Sequence, residues 1–139
     1  MKFNSKAIFI GFVVAIVGVT VFEIVVWELI LSNLSLSESA SDFVYSPSGD
    51  ALLSNIGFFL AMILGAYTMG RVAKKDFLQN GAVFAVLVFA LSAAITALEM
   101  TYYAYSGLPY VMPLHEVLMF LVDMVVATAG ILLGSHLAS

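Results

Sequence analysis

Apolar residues in this chain do not alternate with polar ones but run in four long blocks, at about 7–31, 52–70, 81–103 and 114–133. The short stretches between them hold most of the Ser, Pro, Asn and charge. Blocks of this kind have no polar face to turn toward water, so the pattern predicts helices surrounded by hydrocarbon. At about 1.5 Å per residue each is long enough to cross a ~30 Å hydrocarbon core. The expected fold class is all-α: a four-helix transmembrane bundle forming one integral membrane domain over 1–139. Lys2 and Lys6 precede the first block as in a signal peptide, but the block continues to Leu31 without an A-x-A-like site and reads as the first span.

Composition agrees with the pattern. The chain is 63% hydrophobic and 10% charged, with a mean hydropathy of +1.09, which excludes a water-soluble core. The absence of cysteine removes disulfides, thiolate metal sites and thiol redox chemistry. No cofactor, nucleotide or nucleophile motif stands out, so neither catalysis, nor a cofactor, nor a nucleic-acid partner is expected.

Charge gives the expected topology. All five Lys and Arg residues (Lys2, Lys6, Arg71, Lys74, Lys75) fall in two segments that share one side once the blocks are threaded through a bilayer. Cytoplasmic loops retain such residues, so both termini and the 71–80 loop are expected inside and the Ser-rich 32–51 loop outside. Ser32, Asn33, Pro47 and Gly49 argue against a continuous helix through that outer loop. A tight turn is expected over 76–80, and Ser106-Gly107-Leu108-Pro109 marks the second outer turn. The two hairpins share orientation and have similar inner ends, Ile63-Leu64-Gly65 with Gly70-Arg71-Val72-Ala73 and Ile131-Leu132-Leu133-Gly134 with His136-Leu137-Ala138, which leaves a parallel repeat open.

Small residues recur at helical spacing. Ser54, Gly57, Ala61, Gly65 and Thr68 share one face of the second helix, and Ala127, Gly130 and Gly134 one face of the fourth. Such stripes let helix backbones approach closely. Contacts within the bundle are the expected use, with self-association as the alternative. Trp27, Tyr102, Tyr103, Tyr105 and Tyr110 gather at the outer boundary, as an interfacial aromatic belt requires.

Acids carry the candidate chemistry. Of nine, only Asp76 lies on the inner side. Glu23 falls roughly 24 Å along the first helix, Glu99 at a similar depth on the third, and Asp123 about 10 Å deeper than Glu116 on the fourth. A carboxylate at mid-membrane costs about 2.5–3.5 kcal/mol. Glu116, Phe120, Asp123, Ala127, Gly130 and Gly134 follow one stripe; Ser92, Thr96, Glu99 and Tyr103 form a second; Thr20, Glu23 and Trp27 form a third. Two readings follow. Either Glu23, Glu99, Glu116 and Asp123, with His115 at the mouth, line a pocket for a proton or cation, or these groups hydrogen-bond locally and fix helix register.

A metal site remains an open question. His115 and Glu116 are ligand types, but neighbours on a helix diverge by about 100°, unlike the i,i+3 pairs of di-iron bundles. Haem is not expected, because the second histidine, His136, is 21 residues further along the same helix.

An acidic end to the first helix, Leu64-Gly65-Ala66-Tyr67 leading to Gly70-Arg71-Val72-Ala73, Pro113-Leu114-His115, and Leu133-Gly134-Ser135-His136-Leu137-Ala138 run along nearly the whole chain. In that layout the chain resembles small four-span bacterial membrane proteins of uncharacterised activity. His136 stands where an Arg is usual near the final helix end of that pattern. The resemblance implies a bacterial inner-membrane location and no particular activity. The functional expectation is a non-catalytic subunit or stabilising partner within a larger membrane assembly. Its partners would be the lipid bilayer together with other membrane subunits or further copies of the chain. The alternative is an oligomeric proton- or cation-coupled carrier using the outer carboxylates.

Overall fold

The computed structural model describes residues 3–106 and 113–139, apart from the side chains of Tyr103 and of residues 113–116. Helix α1 covers Ser5–Glu23 and runs on without a break as a π-helix, Ile24–Ile30, and a 3-10 turn, Leu31–Asn33. A short α2, Glu38–Val44, precedes α3 (Pro47–Ala73), α4 (Phe77–Ser106) and α5 (Pro113–Ala138). Four of these helical stretches are long and apolar enough to cross a membrane. The chain is an all-α, four-helix, multi-pass membrane protein.

The helices outrun the apolar blocks because local capping, rather than hydropathy, sets their ends. Asn4 starts α1, its side chain accepting from the Ala7 N–H. At α3 the Ser46 hydroxyl accepts from Gly49 N at 3.1 Å and Pro47 occupies the first turn, where its missing N–H costs nothing. Helix α3 therefore begins at Pro47 instead of near Leu52, and the 32–51 segment is partly helical. At the other end, Lys74 takes a left-handed conformation (φ 61°) and donates its N–H to Gly70 O, while Asp76 follows at φ 55°. That reversal is complete before Phe77, so the turn is shorter and earlier than 76–80. The Ser106-Gly107-Leu108-Pro109 turn and Tyr110 extend beyond the described residues.

Helix α3 is the centre of the bundle, packed between α1 and α5, with α4 across them. The α1–α3 crossing is close enough that a Cβ on Gly11 would meet Gly65 O at 2.6 Å, and one on Gly65 would meet Gly11 O at 2.7 Å. Helices α3 and α5 run parallel in constant register: Gly130 against Met62, Gly134 against Ala66, Ala138 against Gly70. The two hairpins are therefore not alike in packing, since α1 and α3 meet backbone to backbone while α4 and α5 stand apart around a cavity.

The core is confined to the end of the bundle that carries Lys6, Arg71, Lys74 and Lys75, called the basic end below. Ala15, Ala61, Met69, Phe84, Val88, Ala127 and Ile131 all lie in it. Every buried apolar side chain falls within about 12 residues of the basic end of its helix, or about 18 Å. Phe84 is fully enclosed and meets Phe12 edge to face, centroids 6.4 Å apart. Among the described side chains, none from Ile16 to Asn33, from Ala90 to Ser106 or from Val117 to Val126 is buried.

Candidate functional site

Two polar constructions stand out, one at each end. At the basic end Asn80, 1% exposed, accepts the Asn4 N–H at 2.8 Å and donates to Lys75 O at 3.2 Å. One side chain thus ties the start of α1 to the α3–α4 turn. A buried amide keeps its place by satisfying both of its polar ends, and this one acts as a clasp.

Toward the far end stand the acids. Glu23 and Glu99 are both exposed. The Asn4–Asn80 contact sets the register of α1 against α4, and 19 residues beyond it each chain position reaches a glutamate, Glu23 on one helix and Glu99 on the other. They therefore rise about equally far, roughly 28 Å, above the clasp. Asp123 is half-buried on the α5 stripe, as is Phe120, while the members toward the basic end, Ala127, Gly130 and Gly134, are buried. Extending the α3–α5 register by two turns sets Asp123 level with Asn55. Asn55 Nδ2 donates to Ala51 O at 2.8 Å, and its Oδ1 is buried without a hydrogen-bond partner. A carboxyl and an unpartnered amide oxygen, both acceptors when the acid is ionised, thus stand at one level of the bundle.

The three polar stripes meet only in part. Thr20 and Ser92 line a common cavity of about 200 Å³ enclosed by α1, α3 and α4, with Phe12, Phe58, Met62 and Val88 among its walls. The Thr20 hydroxyl donates to Ile16 O at 3.1 Å within its own helix. Glu23 and Glu99 are not in that lining. The π-helix starts immediately after Glu23, and its i→i+5 bonds change the helical phase, so Glu23 and Trp27 no longer follow a common α-helical stripe. Trp27 stacks obliquely on Tyr45, centroids 6.0 Å apart, at the start of α3. His115 and Glu116 lie outside the described side chains, as does Tyr103. Among the described residues no group of three or more His, Cys, Asp or Glu could hold a metal ion.

Of the small-residue positions Gly57, Ala61, Gly65, Ala127, Gly130 and Gly134 are buried, while Ser54 and Thr68 are half-buried. A Cβ on Gly57 would run into the Phe22 ring, Ala61 touches Gly18, and Gly65 faces Gly11 and Ala15. Gly130 abuts Met62 and Phe59, Gly134 abuts Ile63 and Ala66, and Ala127 is fully enclosed.

Sequence reasoning passed over Asn55 and Asn80. The first is an amide inside an apolar block, which is a signal in itself because an unpaired amide there is costly. The second reads as a loop residue until the Asn4 contact is known. No family model, curated protein or solved structure matches this chain.

Proposed function

We propose that this chain is a non-catalytic subunit or stabilising partner of a larger membrane assembly, held in a bacterial inner membrane with both termini in the cytoplasm. The observation that carries the reading is the exposure of Glu23 and Glu99 within the spans. A carboxylate facing acyl chains costs about 2.5–3.5 kcal/mol at mid-membrane and less toward the outer edge where these two stand, and Lys6, Arg71, Lys74 and Lys75 lie near the opposite end. A covering polypeptide removes that cost. The same surface carries the unburied outer stretches of α1 and α4, which supply an extended area for a neighbour.

The test is photocrosslinking from the full-length chain in native membranes, with the photoreactive residue at Glu99 or, as a control, at Val125 on α5. A discrete adduct to a different polypeptide from position 99, recovered in fixed ratio after mild-detergent purification, supports the subunit reading. Adducts to lipid alone overturn it.

A carrier is the second reading, favoured by the half-buried Asp123 level with Asn55. Reconstituted vesicles would then show pH- or cation-dependent flux that Asp123→Asn abolishes. Wild-type flux unchanged by that substitution counts against it.

A further inference from the structure

A cavity of about 760 Å³ lies between α4 and α5 at the basic end. That falls in the range of about 300–1,000 Å³ common to small-molecule sites. The helices come together near Gly81, where a Cβ would meet Ser135 Oγ at 3.3 Å. On one side the lining reaches from Asp76, just before α4, to Ala85, and on the other from Ser139, just past α5, back to Thr128. Those stretches rise about 14 and 17 Å, close to half of a ~30 Å hydrocarbon core. The cavity is therefore about one leaflet tall. A transmembrane helix from a partner would need a groove along the whole span, and this one ends near mid-membrane.

Polarity is graded along the same axis. Asp76, Gln79, His136 and Ser139 form the rim at the basic end, and Ala82, Ala85 and Ile131 stand above it. Thr128, at the top, spends its hydroxyl on Met124 O at 2.7 Å and adds little polarity there. Between rim and apolar wall sits Ser135, whose buried Oγ has no hydrogen-bond partner. Leu78 and Leu132 in the lining are 83% and 61% exposed, so the cavity is open to the side. An amphiphile with a polar head, ester carbonyls one helical turn further in and an acyl chain beyond matches this order of groups. Asp76 is the one acidic side chain in the lining, which also contains neither Lys nor Arg; that balance favours a headgroup with an ammonium over a net anionic one.

We propose that this cavity binds one phospholipid of the adjoining leaflet, with an amine-bearing headgroup against Asp76 and the rim, and its ester region at the level of Ser135. The full chain is reconstituted in vesicles of phosphatidylethanolamine, phosphatidylglycerol and phosphatidylcholine in equal parts, extracted in mild detergent and weighed by native mass spectrometry. One retained phosphatidylethanolamine per chain is the expected result. Asp76→Asn lowers its preference over phosphatidylglycerol by roughly fivefold, the ratio equivalent to about 1 kcal/mol per interfacial charge. Ala82→Trp, at an exposed α4 position that reaches the cavity, removes the retained lipid. A photoactivatable phosphatidylethanolamine on the unaltered chain gives a second readout, with adducts concentrated in 76–85 and 128–139. Equal retention by wild type and Ala82→Trp overturns the proposal, as do adducts spread evenly over all lipid-facing helices. A second copy of the chain or another polypeptide crosslinked across the cavity overturns it as well.

Discussion

The two halves of the bundle are built on different principles. In the basic half, glycine and alanine let three backbones close on one another, and Phe84 fills the space that α4 roofs over. In the far half the same helices continue as regular helix, π-helix and 3-10 turn, yet among the described side chains they bury no apolar one. Since lipid tails solvate an apolar side chain about as well as a neighbouring helix does, packing between membrane helices depends on close fit and small residues rather than on hydrophobicity. The first half meets that requirement. The second, with Val25, Leu29, Ile95 and Leu98 on its surface, has helix without fit. Secondary structure and tertiary packing are thus separable here within a single helix.

The contrast can be broken most strongly at Phe84. Phe84→Ala is expected to cost about 3 kcal/mol, the low end of the usual range because hydrocarbon also solvates an exposed ring. Leu98→Ala on the same helix, 70% exposed, should cost less than about 0.5 kcal/mol. Equilibrium unfolding in mixed micelles measures both, and equal costs would mean that the far half packs as tightly as the basic one. Glycines offer a narrower version. Gly65→Ala should destabilise by about 2 kcal/mol, since its neighbours are backbone and Ala15. Gly57→Ala, which meets only the movable Phe22 ring, should cost under about 1 kcal/mol.

At the clasp, Asn80→Ala leaves the Asn4 N–H and Lys75 O without their partner, for an expected loss of about 1–2 kcal/mol. The smallest effect is expected at Glu99→Gln in the isolated chain, within about 0.5 kcal/mol. A large loss there in detergent would show that Glu99 has a partner inside this chain.

Hydropathy alone makes the four spans legible, because a 20-residue apolar run has few other fates. Boundaries are less so. The Ser46-Pro47 start of α3 is a recognisable cap, but a polar first turn hides it from an apolar count. Small-residue stripes at Gly57 to Gly65 and Ala127 to Gly134 could be read because steric fit leaves a mark at every fourth residue or so. Convergence of the acids could not, for a physical reason: a stripe fixes an azimuth on its own helix but not the rotation of one helix against the next. Beyond Glu23 even the stripe fails, because α1 changes period there and Trp27 leaves the α-helical phase. The cavity between α4 and α5 leaves no sequence signature either, since it results from two helices failing to meet.

The Asn4–Asn80 hydrogen bond joins positions 76 residues apart. During synthesis the first hairpin can close through Gly11 and Gly65 before the anchoring amide exists, so the Asn4 N–H must wait for its partner until the opening turn of α4 has been translated. The clasp therefore sets an order of assembly: lateral closure at the basic end cannot be completed by the first hairpin alone, and the third span is the one that locks it.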